Sequence, residues 1–89
     1  MYNIVLTNKF KSDFKRIKKR NYKLELLEDV MQKLATKVPL EEKHRDHALI
    51  GNYKGYRECH VQPDWLLIYY IDGDEIVFMH TGTHSDLFK

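Results

Sequence analysis

Trp65-Leu66-Leu67-Ile68-Tyr69-Tyr70-Ile71 is the most apolar run in the chain, and Asp72-Gly73-Asp74 separates it from a second strand-like run, Glu75-Ile76-Val77-Phe78-Met79-His80-Thr81. A short, near-continuous apolar run rich in aromatic and β-branched residues reads as a strand covered on both faces, hence central in its sheet. The Asp-Gly link reads as a tight hairpin. Two antiparallel strands therefore form the heart of the expected fold.

Upstream, Tyr56 to Val61 alternates, with Tyr56, Glu58 and His60 on one face and Arg57, Cys59 and Val61 on the other. Pro63-Asp64 turns this third strand into the central one. Tyr2 to Leu6 also alternates, with Tyr2, Ile4 and Leu6 on one side, and predicts a first strand. Thr7 or Asn8 can cap a following helix, because a short side-chain oxygen accepts from the unpaired N–H groups of the first turn. Phe10, Phe14 and Ile17 share one face of that helix, and Asn21 ends it. A second helix from about Tyr22 to Thr36 carries the stripe Leu24, Leu27, Met31 and Leu34, with Val30 beside it. Val38-Pro39 stops it, since proline disfavours a helical residue before it. Glu41 to Asn52 is polar and reads as irregular, with Gly51 and Gly55 flanking turns. Gly82 to Phe88 has room for a turn or one helical turn. The order strand, two helices, three strands predicts an α+β fold: an N-terminal strand and a two-helix hairpin packed on a mainly antiparallel sheet. At 89 residues the chain suits one domain, 1–89.

Composition narrows the class. A hydrophobic content of 43% fits a packed globule rather than a disordered tail. No stretch approaches the roughly 20 apolar residues of a membrane span, and Met1 to Leu6 does not read as a signal peptide. The lone cysteine, Cys59, can form no internal disulfide and reads as a small strand residue, which agrees with a reducing cytoplasm. Net charge is +2, but Lys9 to Lys23 holds eight basic residues against Asp13 alone, so this segment carries +7 and the rest of the chain −5. A face bearing Lys9, Lys11, Lys15, Arg16, Lys18 and Lys19 suits a polyanion such as RNA. The same lysines could simply solvate a helix, or meet an acidic protein segment.

All five histidines lie between residues 44 and 84. Histidine titrates near neutrality and serves as acid or base at physiological pH. His60 and Asp64 share one turn, and an antiparallel return brings the region near Thr81 back to the same end. Such a cluster suits RNA transesterification, in which the ribose 2′-hydroxyl attacks the adjacent phosphate while side chains move the two protons. A zinc site from His44-x2-His47 and His80-x3-His84 is disfavoured: Thr81-Gly82-Thr83 is poor helix, and no second cysteine assists. His44 reads as solvated.

Three segments carry a resemblance: Asp46-His47-Ala48-Leu49, then Tyr53-Lys54-Gly55-Tyr56-Arg57-Glu58-Cys59-His60-Val61-Gln62-Pro63-Asp64-Trp65, and Thr81-Gly82-Thr83-His84-Ser85-Asp86-Leu87-Phe88. Together they resemble the YafQ branch of the RelE/ParE toxin superfamily over nearly the whole chain. The resemblance implies a RelE-like toxin that enters the ribosome and cleaves translating mRNA, with a preference for adenine-rich lysine codons, held inactive by a co-encoded antitoxin. Expected partners are thus a cognate antitoxin and the mRNA and ribosomal RNA of the ribosome, with no metal and no cofactor. Position by position it implies that His47, His60, Asp64 and His84 form the acid–base set and that Trp65 and Phe88 line the site. Trp65 alone suits core or base-stacking equally. The family's arginine before Thr81-Gly82 is here His80, so the grip on phosphate becomes weaker or pH-dependent unless Arg57 or a lysine substitutes. Two rival readings are a nucleic-acid-binding module that does not cut, and the gyrase-directed activity of fold relatives.

Overall fold

The computed structural model describes residues 1–88. In chain order the elements are β1 (Asn3–Leu6), α1 (Asn8–Lys19), α2 (Leu24–Ala35), β2 (His47–Ala48), β3 (Arg57–Gln62), β4 (Trp65–Asp72), β5 (Glu75–Gly82) and α3 (His84–Leu87), with 3₁₀ turns at Glu42–His44 and Gly51–Tyr53. The sheet order is β1-β5-β4-β3-β2, which makes the apolar run the central strand. β1 runs parallel to β5, and every other pairing is antiparallel. This is the α+β fold expected from the sequence.

The helix ends follow from identifiable local chemistry. Thr7 Oγ1 accepts from the Phe10 N–H at 3.0 Å and so starts α1. At its other end Asn21 adopts φ +61°; the Asn21 N–H reaches Lys18 O, and the Tyr22 N–H reaches Ile17 O. These paired bonds satisfy carbonyls that have no partner inside the helix. Lys37 repeats the device after α2, bonding Leu34 O while Val38 bonds Lys33 O, and Pro39 prevents continuation. Phe10, Ile17, Leu27, Val30 and Ala35 of the helices pack on Cys59, Val61, Trp65, Leu67, Tyr69, Ile76 and Phe78 of one sheet face. Burial of each large side chain contributes about 1.5–3 kcal/mol. Burial also pushes the Cys59 thiol up, so it stays protonated and inert.

Two irregularities shape the other face. The β4–β5 register shifts so that Phe78 faces Tyr69 while His80 faces Ile68, leaving Met79 as an extra residue. Strict alternation would keep His80 on the side of Ile76 and Phe78. The bulge instead turns His80 to the face opposite the helices and turns Thr81 into the core. A second shift, between His60 and Gln62, bends β3 into the Pro63-Asp64 turn.

β1 covers β5 only as far as Phe78, and α1 completes the edge. Thr7 Oγ1 donates to Met79 O at 3.1 Å, and the Thr81 N–H donates to Asp13 Oδ2 at 3.3 Å. The segment read as irregular, Glu41 to Asn52, in fact contributes β2, a two-residue edge strand pairing His47 with Glu58 and Ala48 with Arg57. Its brevity hides it from any periodicity test. Among the described residues no helix is long and apolar enough to cross a membrane.

Candidate active site

Register settles which residues share the outer face. His47 lies opposite Glu58 on the neighbouring strand, His60 opposite Leu66, and Leu66 opposite Gly82, from which the chain enters α3 and His84. The rings of His47 and His60 lie 6.4 Å apart, and those of His60 and His84 lie 5.9 Å apart. The three imidazoles therefore form a row with His60 in the middle. The flanking rings are about half exposed and the central one is largely shielded.

Each ring is oriented by a specific partner. His84 Nδ1 donates to Asp64 Oδ1 at 2.6 Å, and the His84 backbone N–H donates to the same oxygen at 3.0 Å. These two bonds hold the Asp64 carboxyl below the usual carboxylate range. They also commit Nδ1 and leave Nε2 without a hydrogen-bond partner among the described residues, on a side chain that is about half exposed. His47 Nδ1 donates to Arg45 O. Arg45 can present that carbonyl because it adopts a left-handed conformation, φ +45° and ψ +49°. His60 Nδ1 faces Pro63 O at 3.3 Å and its Nε2 faces Glu58 Oε1 at 3.3 Å. Both partners are acceptors, and both are satisfied only when the ring carries two protons.

Glu58 was not among the expected site residues. It is 6% exposed, and its Oε1 also lies 3.9 Å from His47 Nε2. The signal was present: alternation placed Glu58 on the face of His60. Its pairing with His47 required β2, which the sequence concealed.

Several expected roles are corrected. Trp65 is 1% exposed; its ring packs edge-on against Tyr22 at 4.9 Å, and its Nε1–H donates to Thr81 Oγ1 at 2.9 Å. It is a core residue lying beneath the turn and is closed to a base. Arg57 lies on the helix-covered face, where its Nε donates to Tyr69 Oη at 3.2 Å and its Nη2 pairs with Asp46 at 3.3 Å. It cannot substitute for a phosphate-gripping arginine at the histidine row. His44 is buried rather than solvated and donates from Nδ1 to His60 O at 2.7 Å, bracing the strand that carries His60.

His80 lies in the same cross-strand row as Ile68 and Glu58, about 10 Å from the latter at ordinary strand spacing. Its Nδ1 donates to Asp13 Oδ2 at 3.2 Å. Phe88 is half-buried, its ring set edge-on to Tyr53 at 5.4 Å. On α1, Lys9 pairs with Asp13, and Arg16 pairs with both Asp13 and Asp86, so these two serve the fold. Lys11, Lys15, Lys18 and Lys19 form no ion pair with the described residues. Among the described residues no group of three or more His, Cys, Asp and Glu side chains is arranged to hold a metal ion.

Comparison with known proteins places this five-stranded α+β fold among the small bacterial toxins of type II toxin–antitoxin systems. The family model for the bacterial toxin YafQ of such systems matches residues 2–89, and the chain belongs to that family. The mRNA interferase toxin YafQ of Escherichia coli is 38% identical over 87 residues, covering 97% of this chain and 95% of that protein. A copper-bound toxin variant from Helicobacter pylori superposes with a TM-score of 0.94 at 36% identity, covering 99% of this chain and all of that one. YafQ in the E. coli DinJ–YafQ complex gives a TM-score of 0.91 at 37% identity, with both chains fully covered.

Proposed function

We propose that this chain is an mRNA interferase: an endoribonuclease that cleaves mRNA on the ribosome by acid–base catalysis and is neutralised by a cognate antitoxin. The observation that carries this reading is the His84–Asp64 pair at 2.6 Å beside the rings of His60 and His47. A carboxylate that fixes one imidazole nitrogen leaves the other free to exchange a proton with substrate. Asp64 thus acts as a positioning residue, and His84 touches the reacting atoms.

The ribose 2′-oxygen attacks phosphorus while the bond to the 5′-oxygen breaks. One histidine takes the 2′ proton and another gives a proton to the 5′-oxygen, leaving a 2′,3′-cyclic phosphate and a 5′-hydroxyl. His84 and His47, exposed at the two ends of the row, are the proton-transfer pair. His60, braced by Glu58 and Pro63 O, supplies positive charge to the phosphorane between them. Lys11, Lys15, Lys18 and Lys19 meet ribosomal RNA. Phe88, on its Tyr53 support, offers a face to a base.

The test compares cleavage of ribosome-bound and free mRNA by wild type and His84→Ala, alongside growth arrest in cells. Cuts in ribosome-bound mRNA that vanish with His84→Ala are expected. RNA binding without cleavage by wild type would make the chain a binding module. Growth arrest untouched by His84→Ala would point to another target, such as gyrase.

A further inference from the structure

We propose that Arg20 and Asp86 form a clasp that positions His84, making them positioning residues for the reaction; this rests on the acid–base reading above. α3 has four residues, too few to hold a helical shape by its own bonds. Its first turn depends on Asp86, whose Oδ2 accepts the Thr83 N–H at 2.9 Å while its own N–H reaches Thr83 Oγ1 at 3.1 Å.

The same carboxylate receives both terminal nitrogens of Arg20, at 2.7 and 3.1 Å, and Nη1 of Arg16 at 3.3 Å. Arg16 in turn bonds buried Asp13 at 3.0 Å. The chain of charges Asp13–Arg16–Asp86–Arg20 therefore runs from the packed flank of α1 to the turn that carries His84. Isolated surface ion pairs contribute little, but a bidentate arginine within a network is the arrangement that does hold geometry. Asp86 is only 12% exposed, which limits screening by solvent.

The backbone makes room for this contact. A Cβ at Gly82 would lie 2.9 Å from Asp86 Oδ2 and 3.0 Å from Asp86 Cβ, so the absence of a side chain there admits the carboxylate. Two residues before Asp86, His84 uses its own N–H and its Nδ1 to hold Asp64. A shift of α3 would break both bonds and release the ring. Misplacement of a reacting group by about 1 Å can cost on the order of a hundredfold in rate.

The test uses Arg20→Ala, Asp86→Asn and the double variant, in the full chain. Three readouts apply: the kcat and KM of mRNA cleavage, amide exchange over 84–88, and the ring nitrogen shifts of His84. Both single variants should lower kcat on the order of tenfold, loosen the α3 amides and shift the His84 ring toward a mixture of tautomers, with the double variant no worse than either. If Arg20 instead grips RNA, Arg20→Ala raises KM alone and Asp86→Asn, which frees the cation, leaves kcat intact; that result overturns the clasp. Unchanged His84 shifts and α3 exchange in both variants overturn it as well, whether or not the wild type cleaves RNA. Wild type that fails to cut, with the spectroscopic changes present, overturns the nuclease reading and keeps the clasp as a positioning device.

Discussion

The His84–Asp64 and His80–Asp13 pairs stand at the same end of β5 in opposite surroundings. Asp64 is 64% exposed and its histidine is half exposed, whereas Asp13 is wholly buried and also takes up the Thr81 N–H, Arg16 and Lys9. An exposed pair at 2.6 Å adds little to stability, because water solvates both partners when it breaks. A buried carboxylate with several partners cannot be removed without leaving those partners unpaired. Under the proposed function the first pair serves chemistry, whereas the second is built into the architecture, although the sequence presents both as one histidine and one aspartate far apart.

The largest expected effect falls on the first pair. His84→Ala should reduce mRNA cleavage by about 10²- to 10⁴-fold, the usual contribution of a positioned acid or base, while leaving the melting temperature nearly unchanged. Loss of fold rather than of rate would reverse the assignment of the two pairs. Next in size, Asp13→Ala should destabilise the chain by about 3 kcal/mol, measured as a drop in the urea midpoint. A cost under about 1 kcal/mol would mean that water replaces the carboxylate at the β5 edge, and the architectural role would fall.

The contrast also explains what the sequence disclosed. The apolar run from Trp65, the hairpin at Asp72–Asp74 and the two amphipathic helices were legible because periodicity and turn chemistry are local. The joint motif context picked out His47, His60, Asp64 and His84, and the fold brings these four together. Asp13 was hidden, since an acid within a lysine-rich helix reads as a solvated surface charge. Its burial depends on a sheet edge that β1 leaves open after Phe78. Trp65 was ambiguous for a similar reason: only the bulge at Met79 turns Thr81 inward to meet the indole, and a bulge has no signature in alternation. Arg57 stands apart from the histidine row because it lies on the opposite sheet face, a placement that alternation along its strand already indicated.

A smaller effect concerns the other histidine. His80 stands where the resembling family carries arginine, and Asp13 anchors its Nδ1. Arginine would stay charged across the physiological range and would extend farther from the strand. His80→Arg should raise cleavage severalfold near pH 8 and flatten the profile between pH 6 and 8, as followed on ribosome-bound mRNA. An identical rate and profile would show that His80 belongs only to the Asp13 network and has no part in phosphate stabilisation.

The smallest effect is the most direct probe of the exposed pair. The two N–H groups of His84 depress the Asp64 carboxyl, so in the folded chain it loses its charge at lower pH than in the unfolded chain. The sign follows: the stability it contributes is present above the unfolded value, about 3.9, and is lost as pH falls through the lower folded one. Because Asp64 lies in water, that contribution is small, and acid unfolding of His84→Ala should nearly coincide with wild type. The carboxyl midpoint, followed by carbon-detected NMR, should nonetheless rise toward the ordinary range in His84→Ala. It should rise less with His84→Asn: both variants keep the backbone N–H bond to Asp64, but only asparagine retains a side-chain N–H that can donate to the carboxylate. An Asp64 midpoint indifferent to both substitutions would mean that the 2.6 Å contact does not persist in solution, and His84 would lose the partner that orients it.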